Sequence, residues 1–130
     1  MNNPEQVIPI DGAAKLILEK DDASRKVITV PEWDDVEIEL RSISVDDRSK
    51  LFTKWNITAL EKFGANPDAI IFIFVRGTFD VASGKPLFGK DTTTARLLLT
   101  KRPDVLDNIV RQILELSGMV KGADVTVEKN

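Results

Sequence analysis

The stretch KVITVPEWDDVEIELRSIS, residues 26–44, constrains the fold of this chain more than any other segment. Val27, Ile28, Thr29 and Val30 include four β-branched side chains in series, stiff at χ1 and suited to a pleated surface. Pro31 then removes a backbone donor, which ends the strand. Beyond the corner, apolar Val36, Ile38, Leu40 and Ile43 alternate with Glu37, Glu39 and Arg41, slipping phase at the end. That is the period of a half-buried strand. The two segments predict a small two-stranded antiparallel β-ribbon over residues 26–43. Two strands alone are marginal, so the rest of the chain must supply helices to cover them.

About five helices are expected. Asp11 stands where an N-cap would precede GAAKLILEK, which closes in the polar cluster DDAS. Ser44 followed by Val-Asp-Asp reads as a second helix start with acids in the first turn. Phe52, Trp55, Ala59 and Phe63 then recur three to four residues apart, so that helix is expected to run to Gly64. Asn66, Pro67 and Asp68 form a third start, although IIFIFV behind them has strand composition. A buried central helix satisfies both signals, because it is apolar on every side. VASGKPLFG is turn chemistry, with Gly84 and Pro86. Asp91 stands ready to cap TTTARLLLTK, and Pro103 opens a last helix ending at Gly118, with Leu106, Ile109, Val110 and Ile113 on one stripe. The fold class is therefore α+β and predominantly helical. Residues 1–10 and 123–130 read as flexible ends of a single globular domain over 11–122.

At 130 residues, one core is expected. The chain has no histidine and no cysteine, so no Ser-His or Cys-His nucleophile and no common nitrogen or sulfur zinc site can be built. The pairs Asp21–Asp22, Asp34–Asp35 and Asp46–Asp47 are read as caps and solubilising groups, because adjacent carboxylates point apart. GK occurs twice without the spacing of a phosphate loop. An enzyme and a cofactor are thus not expected. A net charge of −3 argues against nucleic acid. The apolar run AIIFIFV is too short for a membrane span, and the polar start lacks a signal peptide's pattern, so a cytoplasmic protein is expected. Trp33, Trp55, Phe63 and Phe88 remain as core anchors or contact residues.

Taken in order, these features resemble the tail assembly chaperones of long, non-contractile-tailed (siphovirus-type) phages. The match runs through VPEW (Val30 to Trp33), the alternating strand closing on Arg41, and a capped helix. It continues through Asp80, Gly84 and Pro86 to Phe88, the helix ARLLLTK, and VLDNIVRQILELSG at 105–118. Nearly the whole chain from residue 11 is covered. Many relatives carry a glycine after the corner tryptophan, where this chain has Asp34 and Asp35.

The resemblance implies a non-enzymatic chaperone that keeps the tape measure protein, a long, apolar, helix-rich chain, soluble until tube subunits polymerise around it. It also implies a longer product of ribosomal frameshifting, whose extension recruits the tail tube protein. The closing Glu128-Lys129-Asn130 can be encoded GAA AAA AAC, which contains a slippery pattern, whereas AAG for Lys129 would remove it. Such a protein would act in the host cytoplasm, be missing from the mature virion, and form homo-oligomers through head-to-tail contacts. The expected partner-binding residues are Pro31, Glu32 and Trp33 at the corner with Leu106, Ile109, Val110 and Ile113 on the last helix, a stripe that can equally be core. The competing readings are a structural tail or connector subunit of the virion, another small non-enzymatic interaction domain, and a small enzyme that would use carboxylates and a metal.

Overall fold

A computed structural model describes residues 10–57, 66–89 and 92–119. Helix α1 (Gly12–Glu19) precedes strand β1 (Arg25–Val30), a 3-10 turn (Pro31–Trp33) and strand β2 (Val36–Arg41). Helices α2 (Val45–Trp55) and α3 (Pro67–Gly77) follow, then strand β3 (Thr78–Asp80). A short helix α4 (Thr92–Ala95) continues as a 3-10 turn (Arg96–Thr100), and α5 (Pro103–Leu116) closes the fold.

The expected α+β, helix-dominated class is what forms, but the ribbon has a third strand. β2 lies between β1 and β3 in an antiparallel sheet. Thr78 to Asp80 carried no strand signal because the segment is only three residues long and follows α3 with no turn residue between them. Thr78 is fully buried, and its hydroxyl donates to the Phe74 carbonyl at 2.7 Å, which satisfies the side chain inside the core. In β1 and β2, Ile28 faces Ile38, Val30 faces Val36 and Arg25 faces Arg41. The two facing cations are offset by Asp21, which pairs with Arg25, and by Glu39, which accepts from Arg41 at 2.8 Å.

The ambiguous IIFIFV segment is a buried helix. Asn66 caps α3 by accepting from the Ala69 N–H at 3.3 Å, and seven of the eleven α3 residues are buried. α3 packs against α5, where Val105, Leu106, Ile109, Val110, Ile113 and Leu114 are buried, and α5 also meets β2 through the side of the sheet that buries Ile38 and Leu40. The contact is close. A Cβ on Gly77 would lie 2.5 Å from Ile113 Cγ2, so only glycine permits this approach. α5 ends in a Schellman motif: Met119 N–H donates to Leu114 O, and Gly118 N–H to Glu115 O, both at 3.0 Å. Gly118 has the required left-handed φ of +82°.

Two boundaries and one cap differ from expectation. α2 ends at Trp55, where Asn56 turns left-handed at φ 56°, instead of reaching Gly64. Its buried residue is Leu51, while Phe52 is exposed; Ala59 and Phe63 lie outside the described residues. Asp11 occupies the N-cap position of α1 without making a side-chain capping bond. The ARLLLTK helix tightens into the 3-10 turn after Ala95, and its expected cap, Asp91, lies outside the described residues, as do 1–9 and 120–130.

Candidate interaction surface

The Pro-Glu-Trp corner is built by backbone chemistry that the sequence carries in disguise. Pro31 sets φ for the first position of the 3-10 turn, and Asp35 N–H closes the corner on Val30 O at 3.1 Å. Asp34 and Asp35 both adopt a left-handed φ of 58°. Aspartate tolerates that region better than most non-glycine residues, so these two acids stand in conformations for which glycine would serve. The tryptophan ring turns inward: Trp33 is partly buried and packs against the core.

Two grooves flank this corner. One, of about 490 Å³, runs between β1 and α5. Ile28, Pro31 and Glu32 form one wall, and Val105, Asn108 and Gln112 the other. At its mouth, Arg102 donates to Asp104 through Nη2 at 2.6 Å, and this hydrogen bond holds the Asp104 carboxyl below the usual carboxylate range. β1 is also an edge strand of the sheet, with no strand paired to its outer side among the described residues.

The second groove, of about 560 Å³, opens on the other side of the corner. Trp33, Ile38, Phe74, Phe88 and Leu98 give it an apolar lining, with Phe74 and Phe88 6.1 Å apart between ring centroids. Its acidic residues are Glu32, Asp34, Glu37 and Asp80, against one lysine, Lys101. The far wall comes from the turn after β3. Asp80 Oδ2 accepts from Ser83 N–H at 2.8 Å, a bond that lowers the Asp80 pKa, and Asp80 N–H donates to Lys85 O. Phe79 bridges to Pro86, which presents Leu87 and Phe88 to the groove. Arg41 stacks 3.9 Å above the Phe79 ring and donates to Gly84 O, tying the turn to β2.

Of the residues expected to bind a partner, Pro31 and Glu32 line the first groove and Glu32 and Trp33 the second. Leu106, Ile109, Val110 and Ile113 lie in the core, 4%, 1%, 0% and 0% exposed; Ile109 alone of the four reaches a groove wall. Sequence reading did not single out Asn108 and Gln112, whose polarity carries no signal beyond a solvated helix face, or the acidic rim as a unit, whose members come from two separate segments, 32–37 and Asp80. Acids outside the rim make ion pairs and turn bonds: Asp46 pairs with Lys50 at 3.3 Å, Asp47 with Arg76 at 3.6 Å, and Asp21 accepts from Ala23 N–H. Among the described residues no group of His, Cys, Asp and Glu could hold a metal ion, and no helix is long and apolar enough to cross a membrane. What these grooves can offer is apolar contact framed by charge, together with a strand edge.

The fold is a small α+β domain with a groove on each side of the Pro-Glu-Trp corner. Among solved structures, the chain is similar to the tail assembly chaperone of bacteriophage HK97, with a TM-score of 0.55 and 26% sequence identity over 72% of this chain and 85% of that one. The resemblance read from the residues to phage tail assembly chaperones is thereby shown in three dimensions. No protein-family model matches the sequence, and no curated protein matches it.

Proposed function

We propose that this chain is a phage tail assembly chaperone that binds the tape measure protein and keeps it soluble while the tail tube forms. The observation that carries the reading is the likeness to the HK97 chaperone over most of both chains. The surface chemistry agrees with it: a holdase needs apolar surface bordered by charge, and the groove between β1 and α5 offers a strand edge beside a helix. In this proposal the client lies along that groove against Pro31, Glu32, Asn108 and Gln112, with Ile109 supporting the α5 wall from beneath, and Trp33 fixes the corner from the core side. Leu106, Val110 and Ile113 act from within, holding the α5 wall in place. The protein works in the host cytoplasm without catalysis, and a longer frameshifted form recruits the tail tube protein.

Quantitative mass spectrometry of purified particles and of the cells assembling them tests this reading. The expected result is abundant chain in the cells and none in finished virions. A fixed stoichiometric amount in the particles would establish a structural subunit instead.

A further inference from the structure

The outer side of β1 has no strand beside it among the described residues. Ser42 N–H donates to Ser24 O at 2.9 Å and Asp35 N–H to Val30 O at 3.1 Å, so the even-numbered residues of this strand turn their backbone groups toward β2. Arg25, Val27 and Thr29 therefore direct theirs outward. The side chains alternate in the same phase: Ile28 and Val30 line the groove with Val105 and Ile109, while Val27 is 52% exposed on the opposite face. An unpaired edge beside a partly apolar groove is a template for one more strand.

We infer that residues 123–128 of this chain, Ala-Asp-Val-Thr-Val-Glu, add to β1 as a fourth, parallel strand and cover the groove. The described structure stops at Met119, and the place where it stops supports this. Ser117 Oγ accepts from Ile43 N–H at 2.9 Å, and Ile43 follows Arg41, so α5 ends at the Arg25–Arg41 end of the ribbon. Arg102, before the first residue of α5, is within electrostatic reach of Glu32 just beyond the other end of β1. A chain leaving Met119 thus begins at the start of β1 and can run alongside it. The lane outside β1 lies two strand spacings from β2, about 10 Å. Residues 120–123 carry the chain up to about 14 Å, which covers that distance. The segment 123–128 then has the length of β1, Arg25–Val30.

The segment also has the chemistry of an edge partner. Val125, Thr126 and Val127 are β-branched, and Ala123, Val125 and Val127 alternate with Asp124, Thr126 and Glu128. With the apolar set turned to Ile28 and Val30, the polar set faces solvent and the Val125 and Val127 N–H groups point at β1. Asp124 then falls at the Arg25 end and Lys129 near Glu32, so opposite charges meet at both ends. Residues 1–9 fit less well, because Pro4 and Pro9 each lack a backbone donor. The tail of a second copy has the same sequence, but the short tether gives the chain's own tail an effective concentration on the order of millimolar. A client that takes the same edge must displace the tail, and that consequence alone rests on the function proposed above.

Amide hydrogen exchange, followed residue by residue by NMR, tests this on the full-length chain with no client present, so its outcome is independent of that reading. The comparison is Val125→Pro, which removes a donor aimed at β1. The Val27 and Thr29 N–H groups are expected to exchange at least about ten-fold more slowly in the parent than in Val125→Pro, at a rate independent of protein concentration. Ile28 N–H, turned toward β2, should exchange equally in both chains. Equal rates at Val27 and Thr29 would overturn the inference. So would protection that grows with concentration, which would put a second copy's tail on the edge, or an equal change at Ile28, which would report a general loosening of the fold.

Discussion

Replacing Gly77 with alanine tests how closely α3 and α5 approach. The added Cβ would lie 2.5, 2.8 and 2.9 Å from Cγ2, Cδ1 and Cγ1 of Ile113. Two of these atoms sit one bond from the Ile113 Cβ, and the side chain is fully buried, so it cannot swing clear. Overpacking of this kind costs about 1–3 kcal/mol. Alanine's helix propensity returns at most about 1 kcal/mol, and less at the last residue of a helix. The net loss should be about 1–2 kcal/mol, read as a urea midpoint lowered by about 0.5–1 M in tryptophan fluorescence. Ile113→Ala alone should cost about 2–5 kcal/mol by leaving a cavity. In the double variant the new methyl enters the space vacated, so the combined loss should fall short of the sum by at least about 1 kcal/mol. Additive losses, or a Gly77→Ala chain as stable as the parent, would refute the close helix crossing.

Substitutions at three other positions probe the corner, the turn after β3 and the end of α5. Asp34→Gly should raise stability by about 0.5–1 kcal/mol, because it relieves a left-handed aspartate at φ 58°, whereas Asp34→Val should lower it; equal midpoints in urea would dismiss the strain. Asp80 titrates below its ordinary 3.8 in the folded chain, so its contribution is present above that pH and lost as pH falls through the folded value. The Asp80→Asn chain should therefore melt lower than the parent at neutral pH and converge with it in acid, and a pH-independent gap would contradict this. Ser117→Ala removes a hydroxyl that accepts from Ile43 N–H at 2.9 Å and donates to Ile113 O at 2.7 Å. Thermal melts should show a loss of about 1–2 kcal/mol, since a partly buried N–H is left unpaired.

Much of the scaffold was legible because its signals are local. The β-branched run, the alternation after the corner, Asn66-Pro67-Asp68 at the start of α3 and Gly118 after α5 each act within a few residues. β3 was hidden for the opposite reason: its strand character comes from pairing with β2 through Ile38, Glu39 and Leu40, distant in sequence. The end of α2 at Asn56 was masked by a hydrophobic spacing that continues past it. At the surface, periodicity identified the α5 stripe without saying what covers it, and burial assigns Leu106, Ile109, Val110 and Ile113 to the core. The grooves depend on how separate segments meet, which no local pattern encodes. The Asp34–Asp35 departure from glycine, by contrast, has a simple outcome: both residues take the left-handed conformation themselves.

Co-expression with the tape measure protein tests the central claim most directly. The tape measure chain alone should be insoluble; together with this protein it should remain in the supernatant and copurify, and a charge placed in the β1–α5 groove by Ile28→Asp should reduce the yield of complex. A tape measure chain that stays insoluble, with no complex recovered, would contradict the account.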